Sequence, residues 1–141
     1  MSDYNGRARR ILVVDDDAPS VQLYRLILTR RGGYEVVVSE DPEEIVKLLK
    51  SRSISLVIMD VSLRNSRYKN VPVDGLAITR ILKVNPETAF VPVLLATAHA
   101  MRGDREMFLN GSHADEYVSK PLTDTNEFIN TVGRLIDATQ A

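Results

Sequence analysis

The chain has 141 residues, no cysteine, and 18 Lys and Arg side chains against 19 Asp and Glu, so its formal net charge is −1. This balance leaves no basic field to attract nucleic acid or anionic lipid, and the lack of cysteine excludes disulfides and thiol nucleophiles. No segment has the pattern of a signal peptide or the length of a membrane span. We therefore expect a cytoplasmic protein with no direct binding to nucleic acid or membrane.

The length fits one domain of ordinary size. We expect a single domain over residues 1–141, with a core over about 9–138 and a polar tail over 1–8. Met1 and the short segment after the last predicted helix favour a stand-alone protein.

Five short apolar runs follow one another along the chain, and a segment of helical character comes after each. This alternation predicts an α/β fold with a parallel sheet and crossover helices. Most runs are continuous rather than alternating, as expected for strands covered on both faces. The runs span residues 11–14, 34–38, 55–59, 90–96 and 116–118.

Local signals set the limits of the first two predicted helices. The first ends at Gly32 and Gly33, and the second begins with Asp41 as N-cap and Pro42 at its first position. Apolar residues recur at helical spacing in both. These are Val21, Tyr24, Ile27 and Leu28 in the first helix, and Ile45, Leu48 and Leu49 in the second.

Three more helices are predicted in the second half of the chain. The third starts near Asp74 and ends around Pro86, the fourth spans 101–110 and stops at Gly111, and the last carries an apolar stripe. Residues 63–73 have three basic side chains and little to bury, so they predict a long irregular surface loop. The stripe of the last helix is Phe128, Val132, Leu135 and Ile136.

Polar residues stand at the carboxyl ends of four predicted strands, where open parallel sheets bind ligands. Carboxylates brought together there repel one another unless a cation neutralises them, and hard oxygen ligands suit Mg²⁺. A carboxylate can also attack phosphorus if the metal and a lysine stabilise the phosphoryl oxygens. The pattern thus predicts Asp60 as a phosphoryl acceptor, Asp15 and Asp16 as holders of Mg²⁺, and Lys120 and Thr97 as contacts to phosphoryl oxygens.

Taken one at a time, these residues have simpler explanations. An acidic triplet such as 15–17 is usually a solvated turn, and a single lysine is usually a surface residue. Their joint position at several strand ends favours a site.

The sequence resembles the response-regulator receiver family through ILVVDDD at 11–17, LVIMD at 56–60, DG at 74–75, LLATA at 94–98 and YVSKP at 117–121. The family pattern implies a doubly wound, flavodoxin-like five-stranded parallel sheet of order 2-1-3-4-5 with helices on both faces. It implies phosphorylation of Asp60 by a sensor histidine kinase or a histidine phosphotransfer protein. Direct Mg²⁺ ligands would be Asp16, Asp60 and the backbone carbonyl of Ser62.

The resemblance also implies a switch. Thr97 would move toward the phosphoryl group and Tyr117 would change rotamer, which would alter the surface formed by helix 4, strand 5 and helix 5. That surface would bind a downstream protein or a second copy of the chain. If the protein stands alone, its output must be such a protein contact, because no effector segment remains.

Two segments depart from the family pattern. Arg64 stands where receivers usually have a proline, and Asp74 with Gly75 lies about twice as far from the acceptor as usual. The enlarged loop 63–73 either contacts a partner or is a tolerated polar insertion. The stretch 111–114 replaces a shorter turn, which predicts a remodelled end of helix 4.

Two other functions compete with this interpretation. A phosphohydrolase of the haloacid dehalogenase type would use Asp15 and Asp17 as an Asp-x-Asp nucleophile motif. Pro19 does not fit that motif, the chain is short for such an enzyme, and Asp60 would have no role. A receiver-like module that binds partners without phosphate remains the second alternative, although the acidic cluster is intact.

Overall fold

The structure, a computed structural model, describes residues 9–98 and 104–140, so the predicted tail 1–8 and residues 101–103 of the predicted fourth helix lie outside the described residues. Strands and helices alternate through most of this range. The strands are β1 Arg10–Val14, β2 Glu35–Val38, β3 Leu56–Asp60, β4 Arg67–Tyr68, β5 Val71–Pro72, β6 Val93–Thr97 and β7 Glu116–Ser119. The helices are α1 Ala18–Gly32, α2 Pro42–Lys50, α3 Gly75–Val84, α4 Asp104–Ser112 and α5 Thr125–Gln140.

Five of the strands form one parallel sheet of order β2-β1-β3-β6-β7. Without the two short strands β4 and β5, this is the predicted doubly wound order 2-1-3-4-5, and the predicted fold class is confirmed. The chain leaves β1 for one side of the sheet and later crosses to β3 on the other side. Loops diverge at such a switch point, which opens a crevice beyond the carboxyl ends of β1 and β3.

Alternate residues of the central strands enter two separate cores, one on each face of the sheet. In β1, Ile11 and Val13 face one core while Leu12 and Val14 face the other, and all four are fully buried. The first core is closed by α1 and α5, and the second mainly by α2 and α3. Coverage on both faces explains why the strands are continuous apolar runs. No helix in the described residues is both long enough and apolar enough to cross a membrane.

Two helices begin at residues that the sequence indicated, α2 at the predicted N-cap Asp41 and α3 at Asp74, near its predicted start. Asp41 accepts a hydrogen bond from the Glu43 N–H at 3.1 Å, and Asp74 accepts one from the Ala77 N–H at 2.8 Å. Each carboxylate satisfies one of the N–H groups left free in a first helical turn. Gly33 ends α1 with φ 67°, a left-handed conformation that costs glycine little.

The predicted stop of the fourth helix at Gly111 was wrong. Helix α4 continues to Ser112, whose hydroxyl donates to the Phe108 carbonyl at 2.5 Å, and the left-handed residue after it is His113 with φ 65°. Ser112 is fully buried, so packing holds the last turn beyond the glycine. The fourth predicted strand also began too early, because β6 starts at Val93 rather than at residue 90.

The predicted irregular loop 63–73 contains a hairpin instead, in which β4 and β5 pair antiparallel. Its turn residues Lys69 and Asn70 have φ of 51° and 66°, and two successive positive values are typical of a tight hairpin turn. The prediction of little burial was wrong as well, since Leu63 and Ser66 are 6% and 5% exposed. Turns of this type usually contain glycine, and its absence here removed the signal that would have revealed the hairpin.

Candidate functional site

A cleft of about 800 Å³ opens at the carboxyl edge of the sheet, beside the switch point between β1 and β3. We call it the acidic cleft. Its lining includes Asp16, Asp60, Ser62 and Lys120, which come from the ends of β1, β3 and β7. The predicted convergence of strand-end residues therefore occurs in the structure.

Three carboxylates form a compact cluster in this cleft. One oxygen from each of Asp15, Asp16 and Asp60 lies within 4.8 Å of the others. Asp15 and Asp60 are buried at 3% and 6% exposure, whereas Asp16 is open to solvent. Buried carboxylates at this spacing are costly without positive charge, and oxygen ligands with an open side suit a hydrated Mg²⁺. The residues present thus fit a divalent cation.

Backbone N–H groups orient each member of the cluster. Asp15 accepts from the Asp17 N–H at 2.9 Å, Asp60 from the Ser62 N–H at 3.1 Å, and Asp16 from the Arg64 N–H at 3.2 Å. The Arg64 contact ties the start of the enlarged loop to the cluster. Sequence reasoning missed this contact, because a backbone donor leaves no mark in the residue type.

The third residue of the acidic triplet is used differently. Asp17 caps α1, accepting from the Ser20 N–H at 3.2 Å and from the Ser20 hydroxyl at 2.6 Å. These bonds, the one from the hydroxyl first, lower the pKa of Asp17 below 3.8. Only two of the three consecutive carboxylates therefore join the cluster, and the third stabilises the helix that follows.

Lys120 brings positive charge into the cluster from the end of β7. Its ammonium lies 2.7 Å from Asp15 Oδ2 and 3.8 Å from Asp60 Oδ1. The backbone holds it there, because the Lys120 N–H donates to the Thr97 carbonyl at 2.8 Å and so fixes the loop against β6. The ammonium thus forms a tight pair with Asp15 and lies within reach of Asp60.

The pKa of Asp60 is raised above 3.8. Burial is the largest cause, and the negative charges of Asp15 and Asp16 act in the same direction, while the Ser62 N–H and the Lys120 ammonium oppose them. The surroundings of Asp60 therefore disfavour its charged form.

The two predicted switch residues lie on neighbouring strands. Thr97 is the last residue of β6 and is 1% exposed, and Tyr117 is half-buried in β7, opposite Leu95. The Tyr117 ring packs against Phe108 of α4, with ring centroids 6.0 Å apart. The roles of Thr97 and Tyr117 as switch residues stay a prediction, as does their movement.

Gly75 packs against the backbone of Asp60, although the loop between the two residues is enlarged. A Cβ on Gly75 would lie 1.9 Å from the Asp60 carbonyl oxygen, and the Gly75 N–H donates to the Val61 carbonyl at 3.2 Å. The start of α3 therefore presses directly on the backbone of the predicted acceptor. Only glycine permits this approach.

Tyr24 is a cleft residue that sequence reasoning placed only in the buried stripe of α1. It is 1% exposed and lines the acidic cleft. Its apolar ring and helical spacing are equally typical of a core residue, so the pattern carried no separate signal.

Comparisons with known proteins agree on one family. The model of the response regulator receiver domain matches residues 11–132. The polar-differentiation response regulator DivK of Brucella anthropi is 30% identical over 124 residues, which cover 88% of this chain and 93% of DivK.

Two solved structures have the same fold. The receiver domain of the sensor histidine kinase PA1611 from Pseudomonas aeruginosa PAO1, with magnesium coordinated in its active-site cleft, matches with a TM-score of 0.74 and 26% identity, covering 92% of this chain and 98% of its own. A CheY-like receiver domain protein from Methanospirillum hungatei matches with a TM-score of 0.72 and 22% identity, covering 94% and 97%. The second likeness concerns the fold alone. With the matched family model and the DivK relatives, the chain belongs to the response regulator receiver family of two-component systems.

Proposed function

We propose that this receiver accepts a phosphoryl group on Asp60 from the phosphohistidine of a sensor histidine kinase or of a histidine phosphotransfer protein. One observation carries the proposal. Asp15, Asp16 and Asp60 lie within 4.8 Å of one another, and the Lys120 ammonium is 3.8 Å from Asp60. A nucleophilic carboxylate, a cation site and a fixed ammonium are the groups that phosphoryl transfer to a carboxylate needs.

In the proposed transfer, a carboxylate oxygen of Asp60 attacks the phosphorus atom of the donor. A P–O bond forms while the bond from phosphorus to the donor imidazole breaks, and the electrons of that bond stay with the imidazole. The products are an acyl phosphate on Asp60 and a free histidine, so the step needs no oxidant or reductant. Lys120 and Thr97 would contact the phosphoryl oxygens, where negative charge is spread during transfer.

Mg²⁺ would be held by Asp15, Asp16, Asp60 and the backbone carbonyl of Ser62. When bound, it supplies positive charge to the carboxylates and to the phosphoryl oxygens. The oxygen donors of the cluster support this assignment, as does the magnesium in the cleft of the PA1611 receiver.

The proposed output is a change in the face formed by α4, β7 and α5, read by a downstream protein or by a second copy of the chain. Thr97 would approach the phosphoryl group, and Tyr117 would change its packing against Phe108. The adjacency of the two strands that carry these residues supports this route. The phosphoryl group shifts the receiver between two states only through contacts that differ between them.

Phosphorylation by acetyl phosphate in the presence of Mg²⁺ tests the acceptor directly. We expect the protein to gain the mass of one phosphoryl group, and Asp60→Asn to abolish the gain. Asp41→Asn is a matched control, because it makes the same chemical change at a helix cap on α2 where Asn also serves well. If the unchanged protein binds Mg²⁺ but gains no mass, the proposal is wrong and a module that acts without phosphate is favoured.

The phosphohydrolase alternative predicts a different result. It requires Asp15 and Asp17 to act together, but the Asp17 carboxylate is engaged by Ser20 at the start of α1. Turnover of external phosphoesters that is lost in Asp15→Asn and kept in Asp60→Asn would establish that alternative.

A further inference from the structure

The side chain of Tyr24, in α1, forms part of the lining of the acidic cleft. Side chains of a helix lean toward its N-terminus, and α1 begins at the cleft with its cap Asp17. Tyr24 is six residues after the first residue of α1, and it lines the cleft while being 1% exposed. The Tyr24 side chain therefore extends toward the end of α1 at which the cleft opens.

The ring of Tyr24 accounts for its packing without the hydroxyl. It stacks on Phe128 of α5, with ring centroids 5.8 Å apart, inside the core between α1, α5 and the sheet. A phenylalanine would make the same contacts. The hydroxyl group thus needs a reason beyond packing, because a buried polar group costs free energy unless it forms a hydrogen bond.

Among the described residues, the Tyr24 hydroxyl is buried and has no hydrogen-bond partner. Burial raises its pKa well above 10, and the charges of Asp15, Asp60 and Asp17 raise it further. The hydroxyl therefore keeps its proton, and Tyr24 shares the lining of the cleft with Asp16, Asp60 and Lys120. The hydroxyl is therefore a hydrogen-bond donor without an acceptor among the described residues, in a cleft that contains carboxylate acceptors.

The arrangement of Lys120 indicates when such a donor is needed. Its ammonium is paired with Asp15 at 2.7 Å but lies 3.8 Å from Asp60. A phosphoryl group on Asp60 would draw the ammonium toward its oxygens, so that Lys120 would share its hydrogen bonds between Asp15 and the phosphoryl group. Asp15 is 3% exposed, and a buried carboxylate whose donor is shared is destabilised.

We propose that Tyr24 is a positioning residue of the phosphoryl-transfer site, whose hydroxyl forms a hydrogen bond with the Asp15–Lys120 pair as Lys120 turns toward the phosphoryl group. The inference rests on the proposed phosphorylation of Asp60 and adds a residue outside the predicted site. The hydroxyl offsets the weakening of the bond between Lys120 and Asp15, so the arrangement in which Lys120 contacts the phosphoryl group forms more readily.

Removal of the hydroxyl alone tests the proposal. In Tyr24→Phe, we expect the maximal rate of phosphorylation by acetyl phosphate with Mg²⁺ to fall about 3- to 10-fold, the range of one hydrogen bond. We expect the melting temperature to stay unchanged or to rise, because the ring and its contact with Phe128 remain. Tyr34→Phe is the matched control. Tyr34 is also buried but directly precedes β2, at the amino ends of the strands and away from the cleft at their carboxyl ends, so the rate should not change.

Three results would overturn the inference. An unchanged rate in Tyr24→Phe would show that the hydroxyl has no part in transfer. A rate that falls together with the melting temperature would assign Tyr24 to packing. If the unchanged protein is not phosphorylated at all, the proposed function fails and this inference fails with it. If the unchanged protein and Tyr24→Phe are phosphorylated at the same rate, the proposed function stands and only the role of Tyr24 is refuted.

Discussion

Gly75→Ala should damage both stability and phosphorylation, because α3 starts in contact with the backbone of Asp60. The added Cβ would lie 1.9 Å from the Asp60 carbonyl oxygen, 2.8 Å from its carbonyl carbon and 3.0 Å from Val61 Cα. Real Cβ atoms essentially never approach a neighbouring atom closer than 3.0 Å, so the two backbones must separate by roughly 1 Å. That shift also stretches the hydrogen bond from the Gly75 N–H to the Val61 carbonyl, now 3.2 Å.

Overpacking usually costs about 1–3 kcal/mol. Here the clash is with backbone that cannot rotate away, so we expect about 3 kcal/mol, less a few tenths that alanine regains as the better helix former. For a chain of this size, that loss lowers the melting temperature by roughly 10 °C. Calorimetry measures it, and phosphorylation by acetyl phosphate should slow in the same variant because Asp60 is displaced.

Gly111→Ala is the control for this prediction. Gly111 lies within α4, and its added Cβ would meet no atom within 4 Å. Alanine should therefore be neutral or stabilise the protein by up to about 1 kcal/mol. A melting temperature of Gly75→Ala within error of the unchanged protein, or an equal loss in Gly111→Ala, would refute the proposed contact between α3 and Asp60.

Three further predictions follow from the cluster and the hairpin. Without divalent metal, Asp60→Asn should melt at a higher temperature than the unchanged protein near pH 7. The pKa of Asp60 is raised in the folded state, so the folded protein loses stability as pH rises from below 3.8 through that pKa. The gain in melting temperature should therefore shrink toward pH 3, and a gain that persists there would contradict this cause. Mg²⁺ should raise the free energy of unfolding by about 2.7 kcal/mol at a hundredfold excess over its Kd, and Asp16→Asn should weaken this effect. The melting temperatures of both proteins are measured at increasing Mg²⁺ concentrations. Equal stabilisation of the two proteins would place the ion elsewhere. Ser66→Ala removes the 2.8 Å hydrogen bond from the buried Ser66 hydroxyl to the Glu40 carbonyl and should lower the free energy of unfolding by about 1–2 kcal/mol. Amide hydrogen exchange should become faster over residues 67–72. Unchanged exchange there would show that the hairpin does not depend on this hydrogen bond.

Much of the fold could be predicted because its signals are local. The caps Asp41 and Asp74 act on N–H groups two or three residues away, and Gly33 ends α1 through its own backbone conformation. The alternation of apolar runs with helical segments led to the α/β class, and the continuity of the runs indicated strands covered on both faces. Such signals fail where packing decides, as at the end of α4, where the buried Ser112 carries the helix past Gly111.

The candidate site was predictable in its membership but not in its geometry. Asp15, Asp16, Asp60 and Lys120 could be singled out because they follow strands whose carboxyl ends share one edge of a sheet. The sequence could not indicate that Lys120 pairs more closely with Asp15 than with Asp60, because this depends on the path of the chain after β7.

The amino-acid sequence by itself determined the strands of the parallel sheet, the helices between them and the edge at which the charged residues meet, since these depend on periodicity, capping and the residues that follow each strand. Only the tertiary structure decided three features that depend on contacts between distant segments. They are the approach of Gly75 to the Asp60 backbone, the hairpin formed within 63–73, and the burial of the Tyr24 hydroxyl at the acidic cleft. Each depends on the distance between groups from different elements, which packing of the whole chain determines.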